Sequence, residues 1–191
     1  MITGASALPG QDAAFAWLEA GVCAFPCDPS SKKPLIHGWR QQSDVALLRE
    51  QSRIYPHAMA GLDCGNAGGV VVDCDKAEDL DGVQHFRALC ERLGVDLQGI
   101  PRVLTPRGGT HFYFGALTHT TIKNSAGALG PGIDIRGDGG LVILPGSVRT
   151  DGKRYELLHP GTLEQFAHLL ANRGLPGLPA ALSGRSEPPH G

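Results

Sequence analysis

Two spacings of apolar residues alternate along this 191-residue chain. Apolar side chains three and four positions apart predict helices over residues 11–20, 43–50, 80–93 and 162–172. In the third of these the apolar positions are Val83, Phe86, Leu89, Cys90 and Leu93. Ser43 and Thr162 stand where N-caps belong, and Gly21 where the first helix should close. Period-two or wholly apolar runs predict strands over 22–26, 58–63, 69–76, 102–105, 110–114, 130–136 and 141–144, with a short edge strand over 155–158. Glycine-rich punctuation falls at 64–69, 106–109 and 137–140, and the last reads as a hairpin turn joining its two flanking strands. Beyond residue 174 the chain is rich in Pro and Gly. The expected division is therefore a folded domain over 1–174 and a linker or tail over 175–191.

The strand pattern also sorts the polar residues. Residues 69–76 read GVVVDCDK, a β-branched run followed by Asp73 and Asp75. Positions i and i+2 of an extended chain share a face, so the two carboxylates repel each other unless a cation lies between them. Hard divalent cations such as Mg²⁺ and Mn²⁺ select such oxygen ligands, while turn formation at a strand end is the plainer use of Asp. Cys74, between them, is expected to point into the fold. In residues 110–114 Thr110, Phe112 and Phe114 share one face, which leaves His111 exposed with Tyr113 on the other. The paired glycines before it would let a ligand approach the backbone. In residues 130–136 Ile133 and Ile135 face one way, Asp134 and Arg136 the other. Three carboxylates, an imidazole and a guanidinium on three strands make an inventory for two-metal phosphoryl or nucleotidyl transfer, with basic groups holding phosphates.

Composition changes this picture only in places. Hydrophobic residues make up 41% and charged residues 19%, as in an ordinary globular chain. No apolar run is long enough to span a bilayer, and the first residues lack a basic flank before an apolar block, which predicts a cytoplasmic protein without a signal peptide. Five scattered cysteines favour reduced thiols, and Cys23 with Cys27 finds no second pair at zinc-ligand spacing. The net charge of −2 hides an asymmetry. Residues 1–96 carry eight basic and thirteen acidic side chains, residues 97–154 seven and three. A basic middle suits a phosphate-rich ligand. The turn-rich loop over 27–34 presents Lys32 and Lys33, either to such a ligand or to solvent.

In order along residues 21–155, the chain resembles the bifunctional DNA primase/polymerase N-terminal (Prim-Pol) domain of the archaeo-eukaryotic primase superfamily. The resemblance is carried by Lys33-Pro34 and Gly38-Trp39, Asp73-Cys74-Asp75, Gly108-Gly109-Thr110-His111-Phe112-Tyr113-Phe114, Gly132-Ile133-Asp134-Ile135-Arg136, and Pro145-Gly146-Ser147. It implies an α+β fold, an RRM-like catalytic sheet flanked by helices beside a small N-terminal α/β module. It implies template-directed synthesis of primers or DNA strands from nucleoside triphosphates, as in the replication of plasmids, phages and other mobile elements. Asp73, Asp75 and Asp134 would hold two Mg²⁺ or Mn²⁺ ions. His111 and Arg136 would contact the incoming triphosphate, with Ser147, Lys33, Arg107 and Lys123 as lesser contacts. The implied partners are single-stranded or primed DNA and a helicase domain or protein. Two other readings use the same residues: a metal-dependent phosphodiesterase, and a non-catalytic nucleic-acid-binding module of a replication initiator. The aspartate triad weighs against the last, since a binding module gains nothing from clustered carboxylates.

Overall fold

A computed structural model describes residues 13–158 and 160–183. In chain order the elements are α1 (Ala13–Glu19), β1 (Phe25–Cys27), α2 (Val45–Ile54), β2 (Met59–Asp63), β3 (Gly69–Cys74), β4 (Lys76–Ala77) and β5 (Leu80–Asp81). There follow α3 (Gly82–Leu93), β6 (Arg102–Leu104), β7 (Thr110–Gly115), β8 (Ser125–Ala126), β9 (Ile133–Arg136), β10 (Leu141–Ile143), β11 (Glu156–Leu157) and α4 (Leu163–Ala171). The start expected for the first helix, residues 11 and 12, lies outside the described residues.

Helix boundaries follow the capping chemistry. Thr162 caps α4 as expected: its hydroxyl accepts from Gln165 N–H while the Gln165 side chain accepts from Thr162 N–H. The cap of α2 is Asp44 and not Ser43, because the Asp44 carboxylate accepts from Leu47 N–H at 3.0 Å. Asp81 does the same for α3 through Gln84 N–H, so that helix begins two residues later than its apolar spacing suggests. Gly94, at φ +67°, ends it.

The sheets are antiparallel wherever named strands pair. Six strands lie in the order β11-β6-β7-β3-β9-β8, and three in the order β1-β2-β10. A strand followed by a helix at β3–α3 is thus not the start of a parallel α/β unit; the architecture is the α+β one. The hairpin expected at residues 137–140 does not form. β9 pairs with β3 and β8, whereas β10 leaves for the small sheet and pairs with β2. The glycine-rich turn carries the chain from one sheet to the other, so the small module is completed from the C-terminal half.

Both faces of the large sheet are covered. Val70, Val72, Cys74, Phe112, Phe114, Ile133 and Ile135 form one core, with Phe86 and Cys90 of α3. Val71, Val103 and Tyr113 join the other, with Phe166 and Leu170 of α4, Trp17 of α1 and residues of the small sheet. Trp17 also donates from its indole N–H to Pro145 O at 3.0 Å, tying α1 to the segment after β10. The expected linker does not begin at residue 175. Gly115 N–H donates to Pro176 O at 2.7 Å and Leu178 N–H to Gly115 O at 2.9 Å, and Leu178 and Leu182 are buried. Three leucines, Leu175, Leu178 and Leu182, anchor a stretch whose Pro/Gly content masks them; residues 184–191 lie outside the described residues. All five cysteines are free thiols. No helix among the described residues is long and apolar enough to cross a membrane.

Candidate active site

Antiparallel register assembles the polar cluster. In β3, Asp73 lies directly opposite His111 of β7 on one side and Asp134 of β9 on the other. Arg136, two residues beyond Asp134, sits diagonally across from Asp73, within reach of a long side chain. His111 Nε2 is 3.3 Å from Asp73 Oδ1, and Arg136 Nε is 3.6 Å from Asp73 Oδ2. The Arg136 guanidinium also donates to Asp134 Oδ2 at 2.9 Å, and Gly127 N–H donates to Asp134 Oδ1 at 3.1 Å.

His111 is not exposed as the alternation suggests. It is 5% exposed, because the second core covers that face of the sheet, and its ring lies about 6 Å from those of Tyr113 and Tyr155. Asp75 lies just past the end of β3, exposed, where backbone contacts hold it. Its N–H donates to Gly132 O and its C=O accepts from Gly82 N–H, both at 2.8 Å. A Cβ on Gly82 would collide with Gly132 O, and one on Gly109 with Cys74 O. Gly109 therefore admits the protein's own strand end at Cys74 and Asp75.

The electrostatics mark these carboxylates as unequal. Burial pushes the Asp73 carboxyl up, but the His111 hydrogen bond and the charges of His111, Arg136 and Lys32 outweigh it and hold Asp73 below its ordinary value. Burial pushes Asp75 up as well, and the negative charges of Asp73 and Asp134 push it further, against Lys32 and Arg136. Lys32 is lowered by burial and by Arg107 and Arg149, with Asp73 and Asp75 opposing. The Tyr155 hydroxyl is raised to about 12 by burial and Asp73, against Arg149 and Arg107.

Of the residues named from sequence, Asp73, Asp75, His111, Asp134 and Arg136 meet here, and Arg107, exposed, acts on Lys32 and Tyr155. Lys33 does not join them; its carbonyl closes the loop by accepting from Asp28 N–H, and it is Lys32, with a left-handed φ of +64°, that acts on the carboxylates. Ser147 is fully buried and its hydroxyl accepts from Ala60 N–H at 2.9 Å, which makes it a tie between β2 and the segment after β10. No surface of it is left for a nucleotide. Lys123 is exposed at a bridge to Asp138, and among the described residues no contact joins it to the carboxylates. Sequence reasoning passed over Arg149 and Tyr155. Arg149 falls in no motif with a readable period, and Tyr155 only opens the predicted edge strand, although both follow the Pro-Gly-Ser turn closely.

Hard oxygen donors and the net repulsion on Asp75 suit a divalent cation chemically. The arrangement does not yet offer one a cage. Among the described residues no three His, Cys, Asp or Glu side chains converge closely enough to hold a metal ion, and Arg136 spans Asp73 and Asp134. Cys74 is buried on the opposite, apolar face with Cys90, as expected of a packed thiol.

No curated protein matches the chain. The family model described as bifunctional DNA primase/polymerase, N-terminal, matches residues 14–181, spanning every strand and every residue of the polar cluster. The chain belongs to the bifunctional DNA primase/polymerase N-terminal (Prim-Pol) family.

Proposed function

We propose that this site performs template-directed nucleotidyl transfer from nucleoside triphosphates, making primers, extending DNA strands, or both, in the replication of a plasmid, phage or other mobile element. The observation that supports this best is the pairing of two opposite charge sets in one place. Asp73, Asp75 and Asp134 lie at one end of adjacent strands, Lys32 acts on Asp73 and Asp75, and Arg107 and Arg149 act on Lys32. Carboxylates alone would serve many metal enzymes; carboxylates facing a basic rim suit a substrate that is both a metal ligand and a polyphosphate.

In this reading Asp73, Asp75 and Asp134 would hold two Mg²⁺ or Mn²⁺ ions, whose chemistry would be to activate the attacking 3′-hydroxyl and neutralise the leaving pyrophosphate. Lys32, Arg107 and Arg149 bind the phosphates, and Arg136 joins them. His111, with Nε2 3.3 Å from Asp73 Oδ1, fixes that carboxylate's position. Single-stranded or primed DNA is the template, and a helicase the partner that exposes it.

Incubation with a primed template, Mn²⁺ and labelled triphosphates tests the proposal. Primer extension is expected, and it is expected to vanish when Asp73→Ala and Asp75→Ala are combined. A shortened template would instead reveal a phosphodiesterase, and DNA binding with neither product a non-catalytic module. Full synthesis by the double variant would show that the site lies elsewhere.

A further inference from the structure

The register of β3 and β9 sets two carboxylates against each other. Asp73 and Asp134 are direct cross-strand partners, a placement that is destabilising for like charges. What relieves it is the protein's own cation: the Arg136 guanidinium reaches Asp73 Oδ2 at 3.6 Å and Asp134 Oδ2 at 2.9 Å. A divalent cation bridging those oxygens would need the same space and the same lone pairs. The two carboxylates do not depend on Arg136 for their placement, since His111 holds Asp73 and Gly127 N–H holds Asp134. Arg136 itself is 35% exposed, so its side chain has a path outward.

We propose that Arg136 is a resident counter-ion of the Asp73–Asp134 pair, which a divalent cation must displace, so that guanidinium and metal are alternative occupants of one position. The inference rests on the metal-dependent reading of the site and deepens it. Binding of the cation to Asp73 and Asp134 frees Arg136, and the freed guanidinium becomes available to the phosphates of an incoming triphosphate. Cation and triphosphate therefore help each other: the anion gives the displaced Arg136 a new partner. Without triphosphate, Arg136 returns to the carboxylates and holds cation affinity down.

The test reads cation binding, not synthesis. Free Mn²⁺ is followed by electron paramagnetic resonance as it is titrated into chelator-treated protein without nucleotide. Arg136→Gln is expected to bind Mn²⁺ about fivefold more tightly than the unmodified protein, the order expected from freeing two partly exposed ion pairs. Arg107→Gln, which removes a nearby positive charge not paired to these carboxylates, is expected to change affinity less than about twofold. Arg136→Lys keeps the charge but cannot fork between two carboxylates, so it should fall between the two and serves if the Gln variant does not fold. With a non-hydrolysable triphosphate present, Mn²⁺ affinity of the unmodified protein should rise more than that of Arg136→Gln. Equal or weaker Mn²⁺ binding by Arg136→Gln, no saturable binding by either protein, or an equal gain from Arg107→Gln would overturn the proposal. A protein that bound Mn²⁺ in this pattern but extended no primer would leave this inference standing and sink only the polymerase reading.

Discussion

The two faces of the six-stranded sheet are built from alternate residues of the same three central strands, and they do different work. One face carries Val70, Val72, Cys74, Phe112, Phe114, Ile133 and Ile135, all buried under α3 and the chain beyond it. The other carries Asp73, His111, Asp134 and Arg136 at one end and Val71 and Tyr113 further along. The first face is uniform and fixes the strands; the second sets like charges opposite each other and relieves them with His111 and Arg136. Period two keeps these tasks one residue apart in sequence and on opposite sides of a sheet in space. Stability and chemistry should therefore be separable by choosing which face to change.

The largest expected effect comes from the polar face. Asp73→Asn, close in shape, should cost on the order of 10³-fold in primer extension while lowering the unfolding midpoint far less than a core truncation does, read by thermal denaturation alongside the extension assay. Phe112→Ala does the reverse. It empties a fully buried position against Phe86, with ring centroids 4.9 Å apart, and should cost about 3–5 kcal/mol in urea unfolding. Activity per folded molecule should survive it better than the Asp73 change. If both variants lost activity and stability in the same proportion, the separation of the faces would be wrong.

A smaller effect probes how the second face is closed. Ser147→Ala leaves the buried Ala60 N–H without its acceptor and should cost about 1–3 kcal/mol in urea unfolding. Triphosphate affinity, measured by calorimetry on the folded fraction, should not change. A selective loss of affinity would restore Ser147 to the nucleotide site.

Local pattern was enough to read the strands that carry the site, and not enough to read their partners. Asp73, His111, Asp134 and Arg136 were legible because the apolar residues between them declare which face they share. The turn at residues 137–140 looked like a hairpin because alternation on both sides says nothing about which strand lies alongside; β10 pairs with β2 across a sequence gap that no local period spans. Alternation predicts an exposed His111 because an apolar face on one side of a strand implies water on the other, whereas the second core, with Tyr113, Tyr155 and Phe166, covers that face. The choice between Lys32 and Lys33 turned on a single backbone angle. Asp28 accepts from Ser30 and Ser31 N–H and its carbonyl from Lys32 N–H, which turns Lys32 into a left-handed conformation and toward the carboxylates. The anchors Leu178 and Leu182 were hidden by the prolines and glycines around them.

The smallest expected effect separates the carboxylates of the polar end by sign. Asp73 has its folded value below the unfolded one, so its ion pairs add stability that is present above the ordinary carboxylate value and lost as pH falls through the lower folded value. Asp75 has its folded value above the unfolded one, so its charged form subtracts stability at neutral pH, and that cost disappears as pH falls through the raised value. In metal-free protein with chelator present, the two contributions thus change in adjoining windows, Asp75 above the ordinary value and Asp73 below it. Urea unfolding measured against pH for the unmodified protein and for Asp75→Asn isolates the first. The variant should be the more stable at pH 7, and the difference should shrink toward pH 4. Asp73→Asn should show the opposite difference, a loss at pH 7 that closes only at lower pH. Two differences of the same sign would mean that the charges of β3 and β9 do not act on one another as their register requires.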